Sequence, residues 1–269
     1  MNIFSLIKNL FILQILTSCD YSIIATNTAN NRFDENCYYS APPPPLIEDT
    51  NNFSFLVISD THYYNQNLNY GKKLDVLRLK HNAEFLVING DISESGLEKQ
   101  FNLFLDDMKD YNGIIYPVLG NHDVLDYGHK TFGKILGKFI YSLEIGNFKL
   151  IFLDTSTGTF GDKQKKWYEK ELSTDKQIII FTHYNFVTST IQELTSISNA
   201  EDEYYFIDIN ARNNVKYVIS GHLHKNNEKE IRGVKYQTLT TLKNKKNAVL
   251  LISINKAKIT TTLLDLPED

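Results

Sequence analysis

The sequence predicts an α/β fold, and three observations point to it. From residue 51 onward, short apolar, β-branched runs of strand length alternate with segments of helical period. From about residue 228 the strand candidates follow one another with no helix between them. Five of the strand candidates are followed within three residues by Asp, Asn or His, which places unusual polar chemistry at the ends of buried strands.

The strand candidates, in order, are Phe53–Ile58, Phe85–Ile88, Ile114–Leu119, Lys149–Leu153, Ile178–Phe181, Tyr217–Ile219, Val234–Leu239, Val249–Ile254 and Ile259–Leu264. Between the second and third, Leu97, Phe101, Phe104, Leu105 and Met108 recur at helical spacing, so residues 97–110 should bury one face of a helix. Lys73–Leu79 and Asp162–Leu172 also read as helices, the second with a solvated lysine face. The alternating front half suits central strands covered on both faces. Residues 51–269 carry no second linker and no internal repeat, and read as one domain.

The chain has 269 residues, 42% of them hydrophobic, with a formal net charge of −4. That length can bury a large core, and mild acidity argues against a broad nucleic-acid-binding face. Two cysteines, Cys19 and Cys37, cannot build a disulfide scaffold and lack zinc-finger spacing.

Residues 1–18 read as a leader: one lysine, then a short apolar stretch from Leu10 to Leu16. The stretch falls short of the roughly 20 apolar residues of a membrane span and matches a signal-peptide core. Its ending, Leu16-Thr17-Ser18-Cys19, resembles the lipobox of bacterial lipoproteins, which implies lipidation of Cys19 and an extracytoplasmic, membrane-anchored protein. An ordinary cleaved signal or an amphipathic helix on the domain is the competing reading. Residues 19–50, rich in Asn, Thr and Ser and ending in Pro42–Pro45, read as a tether, partly in polyproline II form. His81 and His129 fall outside any motif and read as exposed.

The blocks behind the strands carry the functional reading. They are Asp60-Thr61-His62, Gly90-Asp91, Gly120-Asn121-His122-Asp123, His183, and Gly221-His222-Leu223-His224. Five of the seven histidines fall in them. In α/β sheets the carboxyl ends of parallel strands share one edge, so the blocks should converge. Two Asp, one Asn and four His with no thiolate suit Mn, Fe or Zn, and exceed the needs of one tetrahedral zinc. Two divalent ions about 3.5–4 Å apart, bridged by one carboxylate, would use the whole set and activate a bridging hydroxide near neutral pH. His122 is then a spare imidazole, suited to donate to phosphate or act as general acid, and Asp123 could orient it.

These blocks in this order resemble the calcineurin-like metallophosphoesterase superfamily over most of the chain from Phe53. The resemblance implies a four-layer α-β-β-α sandwich that hydrolyses a small phosphomonoester or phosphodiester. It implies Asp60, His62 and His224 on one metal, Asn121, His183 and His222 on the other, and Asp91 between them. His122 would contact the substrate phosphate, with Asp123 as its partner. LVINGDISESG and KYVISGHLHK look like the cyclic-nucleotide phosphodiesterase branch. Purple acid phosphatases carry a Tyr ligand three residues after the bridging Asp, and Glu94 stands there instead. Tyr184 follows His183 where a proline is common, so the adjoining substrate loop departs from the pattern. A non-catalytic, metal-containing binding lipoprotein on the same scaffold is the rival reading, disfavoured by the intact ligand set with His122 and Asp123.

Overall fold

The computed structural model describes residues 28–186 and 200–268. The leader, Cys19 and most of the segment behind Phe186 lie outside the described residues.

Two mixed sheets pack face to face. The first has five strands in the order β11-β10-β1-β2-β3, namely Lys258–Leu264, Val249–Asn255, Asn52–Ile58, Ala83–Asn89 and Ile114–Val118. The second has six in the order β4-β5-β6-β7-β9-β8: Tyr141–Ile145, Phe148–Phe152, Gln177–Phe181, Val215–Ser220, Val234–Thr238 and Asn227–Ile231. Strands β1, β2 and β3 run parallel, as do β5, β6, β7 and β9.

The period of two along a strand sorts its side chains between layers. On β1, Phe53, Phe55 and Val57 enter the core between the sheets, while Leu56 and Ile58 face the helices. Phe55 stacks on Phe85 with ring centroids 4.5 Å apart and meets Phe181 of the opposite sheet at 6.1 Å. Helices α2 (Tyr70–Lys80), α3 (Glu98–Met108) and α4 (Gly128–Leu136) cover the outer face of the first sheet through Leu74, Leu77, Phe101, Phe104 and Phe132. Helices α5 (Asp162–Leu172) and α6 (Ala200–Arg212) cover the second through Tyr168, Leu172 and Phe206. The result is the four-layer α-β-β-α order that the family resemblance implies.

The tether expectation is corrected from residue 28 onward. Residues 28–35 form a helix, α1, that spans the two outer layers at one edge of the sandwich. Arg32 is fully buried and donates from Nε to Asp154 at 2.6 Å and from Nη2 to Thr157 at 3.1 Å. Asn36 donates to the carbonyl of Ile140 and accepts from the amides of Phe139 and Ile140. The proline run is tied to β3 where the Tyr116 hydroxyl donates to the Pro43 carbonyl at 2.7 Å. These polar side chains are ordered by partners far away in sequence, which composition does not show.

His129 is also corrected. It is buried on α4 with Nε2 3.1 Å from Glu35, and His81 is half-buried.

Candidate metal centre

Each block sits at the carboxyl end of a parallel strand: Asp60 and His62 behind β1, Asp91 behind β2, Asn121 to Asp123 behind β3, His183 behind β6, and His222 and His224 behind β7. Asn89, the last residue of β2, joins the two sheets there by donating from Nδ2 to the carbonyl of Ile219 at 2.9 Å. The ligand-bearing turns need unusual backbone. Asp60, His62, Asp91, His222 and His224 all have φ between 49° and 70°. Non-glycine residues rarely adopt that region, and such strain collects at functional sites. Gly90 has φ +87°, and a Cβ there would lie 2.4 Å from the His183 ring. At Gly120 a Cβ would lie 2.1 Å from the amide nitrogen of Asp91, so the β3 turn can approach the β2 turn only without a side chain.

The candidate ligand atoms form overlapping groups: Asp60, His62 and His224; His62, Asp91 and His122; and Asp91, His183 and His222. In the first, His224 Nε2 lies 3.1 Å from His62 Nε2 and 3.2 Å from Asp60 Oδ1. In the last, His183 Nε2 lies 3.3 Å from Asp91 Oδ2 and 2.9 Å from Asn121 Oδ1, and His222 Nδ1 lies 2.9 Å from the same amide oxygen. Asp91 Oδ2 is also 3.8 Å from His62 Nε2, so this carboxylate belongs to both sides.

The donor set fits divalent cations for a specific reason. His183 Nδ1 lies 3.0 Å from the Asn89 carbonyl, which can only accept, so the ring proton belongs on Nδ1. The lone pair on Nε2 then faces two oxygen acceptors, and a cation is needed between them. Without a metal a second proton fills that role: burial lowers the His183 pKa, but the Asp91 charge and hydrogen bond outweigh it and push it up to about 9. Burial would raise Asp91, yet His183 foremost, with His122 and His62, holds its carboxyl well below the usual range. Burial and then His183 push His222 down to about 4. His183, Asn121 and His222 would hold a metal ion here, the His183 ring giving up its second proton and His222 binding as the neutral imidazole.

His122 is one-third exposed, with its ring edge 3.9 Å from Asp91 Oδ2. Its Nδ1 donates to the backbone carbonyl of Glu94 at 2.7 Å, leaving Nε2 toward the site. Here the structure departs from the sequence expectation. Asp123 does not orient His122. It is completely buried and accepts from the amides of Ile92, Ser93 and Gly120 and from the Ser93 hydroxyl, at 2.7–3.2 Å. Asp123 thus ties the turn behind Asp91 to the turn carrying Asn121. Burial, with the nearby Asp91 charge, pushes it up to about 6.

Glu94 is the site residue that the motifs did not reveal as functional. Its Oε2 lies 3.2 Å from His62 Nδ1 and 3.9 Å from Lys243 Nζ. A carboxylate behind a ligating imidazole fixes its tautomer and orientation. Its place three residues after Asp91 was the available signal. Tyr63 is a packing residue, fully buried with its hydroxyl on Asp107, whereas Tyr64 is exposed.

Residues 53–226 match the family model of calcineurin-like phosphoesterases. Over 106 residues the chain is 27% identical to a probable cyclic nucleotide phosphodiesterase of Fibrobacter succinogenes, a match covering 38% of this chain and 41% of that one. Over 160 residues it is 25% identical to a probable glycerophosphodiester phosphodiesterase of Arcobacter nitrofigilis, covering 51% and 59%. The chain thus spans about half the length of these two curated relatives. A crystal structure of a dimetal phosphatase from Danio rerio superposes with a TM-score of 0.65 at 12% identity, over 80% of this chain and 97% of that one, a likeness of fold. With its described site of carboxylates, histidines and one amide at the shared strand edge, the chain belongs to the calcineurin-like phosphoesterase family.

Proposed function

We propose that this protein is a binuclear-metal phosphodiesterase anchored to a bacterial membrane. The observation that carries the binuclear reading is Asp91, whose carboxylate belongs to two of the ligand groups at once. One ion would take Asp60, His62 and His224, the other Asn121, His183 and His222, with Asp91 shared. Bound Mn²⁺, Fe²⁺/Fe³⁺ or Zn²⁺ would supply Lewis acidity and activate water. The chain's own residues do the rest. Asn89 fixes the proton of His183 on Nδ1, Glu94 steadies His62, and Asp123 holds the Asp91 and Asn121 turns together. His122, with Nδ1 committed to the Glu94 carbonyl, turns Nε2 toward a substrate phosphate or a leaving oxygen.

A diester substrate is supported by the names of the sequence relatives, both probable phosphodiesterases. The anchor rests on the segment ending in Cys19, which implies an extracytoplasmic location, and the net charge of −4 favours a small phosphoester over a long nucleic acid as substrate. No helix among the described residues is long and apolar enough to cross a membrane. The test is to load the metal-free protein with Mn²⁺, count bound ions, and compare turnover of bis(4-nitrophenyl) phosphate with that of 4-nitrophenyl phosphate. Two ions and faster diester turnover are expected. A single ion, or faster monoester turnover, would reject the corresponding part. Cys19→Ala should move the protein out of the membrane fraction without changing the turnover of the purified domain, and unchanged membrane association would reject the anchor.

A further inference from the structure

Ligating imidazoles work only when their ring planes are fixed, because χ2 of histidine is a broad torsion. Two histidines of this site are oriented by a hydrogen bond on their second nitrogen, His183 by the Asn89 carbonyl and His122 by the Glu94 carbonyl, and His62 Nδ1 lies 3.2 Å from the Glu94 carboxylate. His222 is held in another way. It presents Nδ1 to Asn121 Oδ1, and among the described residues nothing is hydrogen-bonded to its Nε2. Its ring lies instead against Tyr184, with centroids 4.0 Å apart and planes 22° from parallel. Tyr184 is itself pinned: its amide donates to Thr155 Oγ1 at 3.0 Å, and that hydroxyl shares a 2.8 Å hydrogen bond with Thr182. The peptide that supplies His183 as a ligand therefore also supplies the flat surface on which the neighbouring ligand rests.

We propose that Tyr184 is a positioning residue of the metal centre, holding the His222 ring so that Nδ1 is directed at the ion shared with Asn121, His183 and Asp91. The proposal rests on the binuclear reading above and adds to it a residue that touches neither ion. The stack has to be aromatic, and phenylalanine would preserve it. Replacing the ring by a branched aliphatic group frees rotation of His222 about χ2, which in half of its orientations turns a C–H toward the ion.

The test is a Mn²⁺ titration of the metal-free full chain, following the signal of the free ion by electron paramagnetic resonance, for wild type, Tyr184→Phe and Tyr184→Leu. Two sites are expected in wild type and in Tyr184→Phe. In Tyr184→Leu one site should keep its affinity and the other should weaken roughly tenfold, where the worth of an aromatic stack meets the cost of losing a group behind a ligating histidine. If Tyr184→Leu does not fold, Thr155→Val carries the test. It releases the Tyr184 amide without touching a ligand, and the same single site should weaken. Two sites of wild-type affinity in the variant that folds would overturn the proposal alone. Equal weakening in Tyr184→Phe would overturn the stacking account in favour of the hydroxyl. Fewer than two sites in wild type would overturn the binuclear reading, and this proposal with it.

Discussion

Asp123→Asn separates the structural account of this residue from the role its place beside His122 suggests. Its Oδ1 accepts from the amide and hydroxyl of Ser93, and its Oδ2 from the amides of Ile92 and Gly120. An asparagine can place oxygen at only one of these positions. Its NH₂ group must then face at least one backbone amide that cannot accept, and one or two buried donors lose their partner. Each such donor costs about 1–3 kcal/mol, so the substitution should cost roughly 1–6 kcal/mol. That is a large part of the 5–15 kcal/mol typical of a folded domain. Urea unfolding of the metal-free protein, followed by circular dichroism, measures it directly. The same change loosens the turns carrying Asp91 and Asn121, so metal affinity should fall together with stability. A variant within about 0.5 kcal/mol of wild type that keeps its metals but loses turnover a hundredfold would refute this account. It would return Asp123 to the His122 dyad that sequence suggests.

Asp91→Ala should leave fewer than two metal ions per chain and no measurable turnover; two ions with near-normal turnover would remove Asp91 from the shared position. Glu94→Ala should weaken metal binding at the His62 side by roughly 10–100-fold, and Glu94→Gln nearly as much, because the contact to His62 Nδ1 is one of charge at 3.2 Å; equal affinities in competition with a chelator would count against the carboxylate's role. His122→Asn should keep both ions and the fold while turnover falls by roughly 10²–10⁴, with a smaller loss for nitrophenyl esters, whose leaving group needs little protonation; metal loss would make His122 a ligand. Arg32→Met leaves Asp154 buried without its partner and should cost about 3–5 kcal/mol in urea unfolding. Burial opposes ionisation of Asp154, but Arg32 outweighs it and holds the carboxyl below its ordinary range. The contribution of the pair is therefore complete above about pH 4 and is lost as pH falls through the lowered folded value, so a difference between wild type and variant that stays constant down to pH 3 would contradict this assignment.

The parts of the molecule legible in sequence are those whose reasons are local. The alternation of Phe53, Phe55 and Val57 with Leu56 and Ile58 states which face of β1 is which, and the polar blocks stand directly behind their strands. What was illegible depends on distant partners. Helix α1 reads as a polar tether because Arg32 is matched by Asp154, far along the chain. Helix α4 is not among the helices read from sequence, and Gly128 and Gly133 lower its helix propensity. Gly133 is there because a Cβ would lie 2.3 Å from the ring of Tyr39, which comes from the N-terminal segment. Strand β4 carries only three inward residues, Tyr141, Leu143 and Ile145, too short a pattern to stand out. Asp123 was misassigned because adjacency in sequence suggested adjacency to His122, whereas the turn points its carboxylate inward to four donors.

The same distinction explains why the site is built at this edge. Five of the seven candidate ligands occupy left-handed backbone, which costs of order 1–3 kcal/mol at each residue. That cost persists only if the surroundings over-determine the turns, and here they do. Thr241 Oγ1 donates to the carbonyl of Asp60 at 2.7 Å, the amide of His62 donates to the carbonyl of Asp91 at 2.9 Å, and the amide of Gly221 to the carbonyl of His183 at 2.9 Å. Each turn is thereby bonded to the next across strands and across sheets. The convergence of imidazole nitrogens and carboxylate oxygens within about 3–4 Å sets acceptors against acceptors, so a cation or a proton belongs between them. A divalent cation completes it and adds stability in proportion to the logarithm of its concentration over its dissociation constant. Strain, burial and metal affinity are therefore one linked quantity. A substitution that relaxes a turn without touching a ligand should be visible first as lost metal.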